Sequence, residues 1–217
     1  MATARESIRL FQAIGRVLAD STRTTEIHVA EEITGRGRFR RLLDHMRSTQ
    51  EGRDLLAARP ELSSSAVDYD GLRRLDASTL GGAYVRHLDA YGLSADTQAL
   101  GTRYVEDEEI AYLMRRFRQT HDVWHALTAL GAEPHNEVVI HAFSLGQLHL
   151  PVSWMIVSLG GIKHGLLEGR FGVVARVMPR AYAVGRRARP LMPVWWEKMW
   201  ADPLAEVQAR LGVEPLA

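Results

Sequence analysis

The chain has 217 residues, 46% of them hydrophobic and 24% charged, with a net charge of +1 at neutral pH. That length supports a sizeable core, with one domain over residues 1–217 as the expectation. The near-zero charge excludes a global field that recruits nucleic acid. The absence of cysteine excludes disulfides and thiolate metal ligands and suits a reducing, cytoplasmic setting.

The first residues run into an amphipathic stretch, with Ile8, Phe11, Ile14 and Leu18 at helical spacing, rather than into a signal-peptide core. Arg36, Arg38, Arg40 and Arg41 then form a basic cluster, which reads as a solvated face or as a contact for anionic lipid head groups. Glycine and proline punctuate the chain throughout, and alternating Val/Ile/Thr runs between Asn-Gly or Asp-Gly turns are missing. A helix is expected from about residue 107 to about residue 130, with Glu108 and Glu109 in its first turn and Gly131 as its stop. Residues 131–136 reverse the chain, His135 faces solvent in that turn, and Glu137 opens the next helix. The longest apolar run, residues 148–162, is broken by His149, Pro151, Ser153, Ser158 and two glycines. It falls short of the ~20 apolar residues of a bilayer span.

Within residues 152–167, Trp154, Met155, Ile156 and Leu166 are candidate walls of an apolar tunnel, with plain core packing as the alternative. Gly160 and Gly161 allow close helix approach, room for a lipid, or a flexible connector. Arg186, Arg187 and Arg189 form a second basic cluster. Trp196, Met199 and Trp200 lead at helical intervals to Leu204, Val207 and Leu211. The expectation is an all-α fold: a single helical domain of roughly ten helices with an apolar pocket or tunnel.

The chemistry concentrates in His121-Asp122-Val123-Trp124-His125 and Glu137. Taking His121 as the origin of a helical wheel, His125 falls at ~40° and Asp122 at ~100°. Ile110, Met114, Phe117, Trp124 and Thr128 share the histidine face. The two imidazoles thus lie on the inward stripe, with Asp122 at its edge. Burying three ionisable groups together is costly without a counter-charge, and a divalent cation supplies one. His121, Asp122, His125 and Glu137 form an N2O2 set suited to zinc first, with Fe, Mn, Co or Mg as alternatives. Arg118, at ~60° on the same wheel, has three readings: a partner that orients Asp122, a clamp for a substrate carboxylate, or an ordinary surface pair. His141, one turn after Glu137, either orients that carboxylate, adds a spare ligand or lies on the helix surface.

Two other metal motifs fit less well. A zincin places glutamate, not aspartate, next to the first histidine. A His-Asp phosphohydrolase needs a further histidine and aspartate, for which His87 and Asp202 are the candidates.

The spacing resembles the ubiquinone (coenzyme Q) biosynthesis family of the fourth coenzyme Q protein, marked by H-D-x-x-H, eleven residues and E. Further blocks carry the resemblance across most of the chain. These are Gly52-Arg53-Asp54-Leu55-Leu56 with Arg59-Pro60, Thr79-Leu80-Gly81 with Tyr84, and Arg116-Phe117-Arg118. Downstream come Leu150-Pro151, Gly185-Arg186-Arg187 and Trp196-Glu197-Lys198-Met199-Trp200 with Pro203-Leu204. The resemblance implies an all-helical protein whose His121, Asp122, His125 and Glu137 hold a divalent metal. It implies peripheral attachment to the inner face of the membrane and binding of a prenylated aromatic or isoprenoid lipid. Other ubiquinone biosynthetic enzymes are implied partners, and a homodimer is compatible with it. The implied activity is metal-dependent oxidative decarboxylation at ring carbon 1 of a prenylated 4-hydroxybenzoate. The alternative is a non-enzymatic prenyl-lipid-binding scaffold. Asn136, His141, Ser144 and Gln119-Thr120 depart from the family pattern around the ligand set, which opens another prenylated aromatic or quinone as substrate.

Overall fold

The computed structural model describes residues 3–19, 24–96, 102–169 and 171–217, and among these caps and helix breakers set off ten α-helices. Among the described residues there is no strand, only an isolated bridge between Thr79 and Pro203. In chain order the helices are α1 (Ala4–Ala19), α2 (Thr24–Ser48), α3 (Gln50–Ala58), α4 (Tyr69–Arg73), α5 (Leu80–Tyr91) and α6 (Glu108–Thr128). Then come α7 (Pro134–Leu148), α8 (Pro151–Ile162), α9 (Phe171–Arg187) and α10 (Leu204–Leu211). Side-chain oxygens of Thr49, Thr79 and Asp107 accept the first free amides of α3, α5 and α6. Pro134 and Pro151 open α7 and α8, where a missing N–H costs nothing.

α6 is the central element. All but four of its 21 residues are buried, because α2 and α5 both lie against it. Its apolar residues feed the core: Phe117 meets Phe39 and Trp124 edge-on at 6.1 and 5.6 Å, and Trp124 meets Phe143 of α7 at 5.7 Å. A helix covered on several sides must also bury polar residues, and each then needs a partner. Arg116, fully buried, donates to Glu197 at 2.9 Å. The helix ends earlier than expected: Ala129, at φ 57°, takes the left-handed cap position, not Gly131.

Blocks far apart in sequence meet in space. Gly81 and Leu80 at the start of α5 donate backbone bonds to the carbonyls of Trp200 and Asp202, and Tyr84 stacks on Trp200 at 5.4 Å with ring planes 7° apart. The C-terminal apolar series is therefore not one helix: a 3-10 turn (Trp196–Lys198) precedes α10, and Trp196, Val207 and Leu211 fill the core. α7 lies against α9, and a Cβ on Gly146 or Gly185 would run into the opposing backbone.

The apolar stripe of α1 is partly in solvent: Ile8 and Phe11 are 60% and 75% exposed, and Ala13 is buried. The side chain of Leu18 lies outside the described residues. Of the expected tunnel walls, the described ones differ in exposure. α8 buries only Val152 and Ser153, and Trp154 is 64% exposed. Met155 and Ile156 pack partly against the core, and the side chain of Leu166 lies outside the described residues. At Gly160, α8 comes up against the Val138 side chain of α7, which is the close-approach reading of that glycine. A cavity of about 480 Å³ lies elsewhere, and its lining mixes charged residues (Glu6, Arg36, Arg40, Arg103 and Asp107) with Val105 and Ile110. The basic residues facing it are partly neutralised, since Arg36 pairs with Glu6 at 2.8 Å and Arg40 with Asp107 at 3.3 Å.

Candidate metal centre

The last two turns of α6 and the first turn of α7 bring three donors together. His121 Nε2 lies 3.2 Å from His125 Nε2 and 3.2 Å from Glu137 Oε2, and His125 Nε2 lies 3.3 Å from Glu137 Oε1. The turn that follows the left-handed Ala129 aims the Leu130 carbonyl at the His125 ring, whose Nδ1 donates to it at 3.2 Å. That bond assigns the proton of a neutral His125 to Nδ1, so its Nε2 presents a lone pair to a second imidazole and a carboxylate. Three acceptor groups at such distances require a cation or a shared proton between them.

Without a metal, the surroundings of His121 favour a proton in that role. Burial opposes charge on its ring, but the bond to Glu137 and the charges of Glu137, Asp122 and Glu31 outweigh it and raise its pKa above the ordinary value. Burial likewise penalises ionised Glu137, yet its bonds to His121 and His125 hold it well below the usual carboxylate range.

The donors also fit a metal. Bonds of ~2.0–2.1 Å in a tetrahedral site place neighbouring donor atoms about 3.3–3.4 Å apart, close to the three observed separations. His125 is fully buried, while the His121 and Glu137 side chains are 14% and 38% exposed, so the open face lies on their side.

Asp122 is not brought into this three-donor group. It is 4% exposed, its Oδ2 has no hydrogen-bond partner, and burial raises its pKa against the pull of His121 and His125. Arg118 turns to α2: its Nε donates to Glu31 at 3.1 Å and its Nη2 to Glu32 at 2.9 Å, with all three side chains at most 4% exposed. The Glu32 carboxylate also accepts the backbone amides of Arg103 and Tyr104, joining α2, α6 and the segment before α6. Burial pushes Glu31 up to about 7 despite Arg118.

Two more imidazoles flank the triad. His141 of α7 packs 5.5 Å from the His121 ring and its Nδ1 lies 3.3 Å from the Ser153 hydroxyl, so it is not the surface residue of one reading. His87 of α5 stacks on His125 at 5.0 Å with planes 20° apart. Burial, followed by the neighbouring histidine charges, pushes His141 down to about 3 and His87 to about 4. Asp202, the other phosphohydrolase candidate, pairs with Arg210 at 2.8 Å on the surface instead. His135 is half-buried rather than free in solvent. Spacing along α6 signals none of His87, Glu31 or Glu32, since each arrives on another helix.

Fold and site together define an all-helical protein with a partly buried His-His-Glu donor set at the junction of two helices. The family model described as coenzyme Q (ubiquinone) biosynthesis protein Coq4 matches residues 3–217. The mitochondrial ubiquinone biosynthesis protein COQ4 homolog of Bos taurus is 34% identical over 199 residues, covering 92% of this chain and 74% of that one. The mitochondrial COQ4 of Podospora anserina is 38% identical over 175 residues, covering 80% and 57%. The crystal structure of a ubiquinone biosynthesis protein from Nostoc punctiforme superposes with a TM-score of 0.73 at 23% identity, over 95% of this chain and 97% of that one, and supports the fold. The chain belongs to the Coq4 family of ubiquinone biosynthesis proteins.

Proposed function

We propose that this chain is a metal-dependent oxidative decarboxylase of ubiquinone biosynthesis. Its substrate would be a prenylated 4-hydroxybenzoate, which loses its ring C1 carboxylate as CO2 and gains a hydroxyl there, two electrons passing to an acceptor such as dioxygen. The observation that carries the reading is the trio of donor separations near 3.2 Å among His121, His125 and Glu137. Asp122, buried beside them with an unpartnered oxygen, is the natural fourth donor. When bound, a divalent ion, zinc first and Fe, Mn, Co or Mg as alternatives, supplies Lewis-acid stabilisation of a phenolate or carboxylate oxygen. The residues then do the rest. The Leu130 carbonyl keeps the His125 lone pair on Nε2, while the open His121–Glu137 side admits the ring. Arg118, engaged by Glu31 and Glu32, acts as a positioning residue for the His121 side of α6 rather than as a clamp on substrate.

Among the described residues no helix is long and apolar enough to cross a membrane. The exposed Trp154 and Ile162 of α8, with Ile8 and Phe11 of α1, support peripheral attachment to a membrane surface, where a prenylated substrate and other ubiquinone biosynthetic enzymes would be met. The same exposed α8 favours a second reading, a prenyl-lipid-binding scaffold with a structural metal. Elemental analysis of protein purified without added metal, mass spectrometry of co-purified lipid and turnover by a His121→Ala variant separate the two. The enzyme reading expects that variant to fold and bind lipid without turnover; full turnover sinks it.

A further inference from the structure

α5 supplies none of the three donors but reaches the site at two points, through Tyr91 and through His87. Its Tyr91 hydroxyl donates to Glu133 Oε1 at 2.9 Å, and Asn136 Nδ2 donates to the other oxygen of the same carboxylate at 2.7 Å. Glu133 is the residue before α7, and its backbone carbonyl accepts the amides of Asn136 at 2.8 Å and of Glu137 at 3.0 Å. The Glu133 side chain is thus tied to α5 and its backbone to the residue that supplies the donor carboxylate. The Tyr91 ring also packs on His87 at 5.1 Å, and His87 stacks on His125. Gly131 lets this arrangement close: a Cβ there would collide with both the Tyr91 hydroxyl and the Glu133 carboxylate.

We propose that Tyr91, Glu133 and Asn136 form a clasp which, with His87, positions Glu137 and His125 for the ion. It fixes α7's first turn from one side and the His125 ring plane from the other. The clasp is built from residues outside the ligand set, and none of them need touch substrate. It rests on the metal reading given above. Its signature is retention of the ion, not stability of the fold, because Tyr91 is 39% exposed and Glu133 is exposed.

The test loads the full chain with cobalt(II) and follows release to excess chelator through the cobalt absorption. Tyr91→Phe, which removes only the hydroxyl, is expected to release cobalt roughly three- to tenfold faster than wild type. Glu133→Ala is expected to match it, while the melting midpoint of each metal-free variant stays at the wild-type value. His87→Phe, which keeps a ring against His125, is expected to stay near the wild-type rate, and His87→Ala to release faster. Wild-type protein that takes up no cobalt overturns the metal reading and the clasp with it. Wild-type protein that binds cobalt, with Tyr91→Phe and Glu133→Ala releasing it within twofold of the wild-type rate, overturns the clasp alone.

Discussion

Replacing Arg118 with methionine tests what that residue is for. The Arg118 side chain is 2% exposed and its guanidinium reaches two carboxylates, Glu31 and Glu32, each 4% exposed. Removing it leaves two acidic groups buried without their cation, a change that costs about 3–5 kcal/mol when one partner of a buried pair is deleted. For a domain of this size each kcal/mol lowers the melting midpoint by about 2–4 °C, so the expected fall is roughly 6–20 °C. The loss depends on pH with a definite sign. Glu31 already titrates at about 7 in the fold against 4.5 ordinarily, and losing Arg118 raises it further. The folded protein then holds a proton that the unfolded chain has released, so stability falls as pH rises from about 4.5 through about 7. The variant should therefore lose least near pH 5 and most above pH 7. Adding Glu31→Gln and Glu32→Gln should recover at least half of the loss, since no buried charge remains. Differential scanning calorimetry across pH on metal-free protein reads all of this. A variant that melts within about 2 °C of wild type but no longer turns over substrate would refute the structural role and return Arg118 to the substrate.

Glu137→Gln keeps the shape of the side chain and removes its charge; metal binding measured by chelator competition should weaken by about 100-fold or more, beyond what loss of an outer partner costs. In the metal-free protein the same change should flatten a pH optimum in stability. The depressed Glu137 contributes above its ordinary value of 4.5 and loses that contribution as pH falls through its folded value. The raised His121 contributes below 6.5 and loses that contribution as pH rises through its folded value. Thermal melts of wild type and variant from pH 3 to 9 check this, and parallel curves would count against the pair. Trp154→Gln, at a side chain 64% exposed, should alter unfolding free energy by no more than about 0.5 kcal/mol. A loss of several kcal/mol in urea melts would mean that the outer face of α8 is packed.

Much of this molecule was legible before any coordinates. Scarce strand signals and frequent helical spacing anticipated an all-helical chain, and α6 starts at Asp107 as expected, but α7 opens at Pro134, ahead of Glu137 where it was expected to begin. The wheel placed His121 and His125 on one face, and the reversal between α6 and α7 brings Glu137 back to them. What could not be read was anything set by a neighbouring helix. Amphipathic reasoning assumes one wet side, and α6 has almost none, so a residue at the edge of the stripe, Asp122, is as buried as its centre. On α1 and α8 the same logic failed in the opposite direction, because apolar residues stayed exposed there.

Arg118 and Asp122 show what a helical wheel leaves out. A wheel gives the direction in which a side chain leaves its own helix, but long side chains are satisfied by whatever lies in that direction. Arg118 and Asp122 sit one turn apart, where a surface pair is worth only tenths of a kcal/mol. Buried, the guanidinium needs full compensation, and α2 presents two carboxylates to it while Asp122 keeps an unpartnered oxygen beside the histidines. That division is itself informative. An arginine bonded to Asp122 would offset the negative charge that Asp122 holds near the histidines. With Arg118 engaged on α2, Asp122 keeps its unpartnered oxygen, and burial, working against the charges of His121 and His125, raises its pKa.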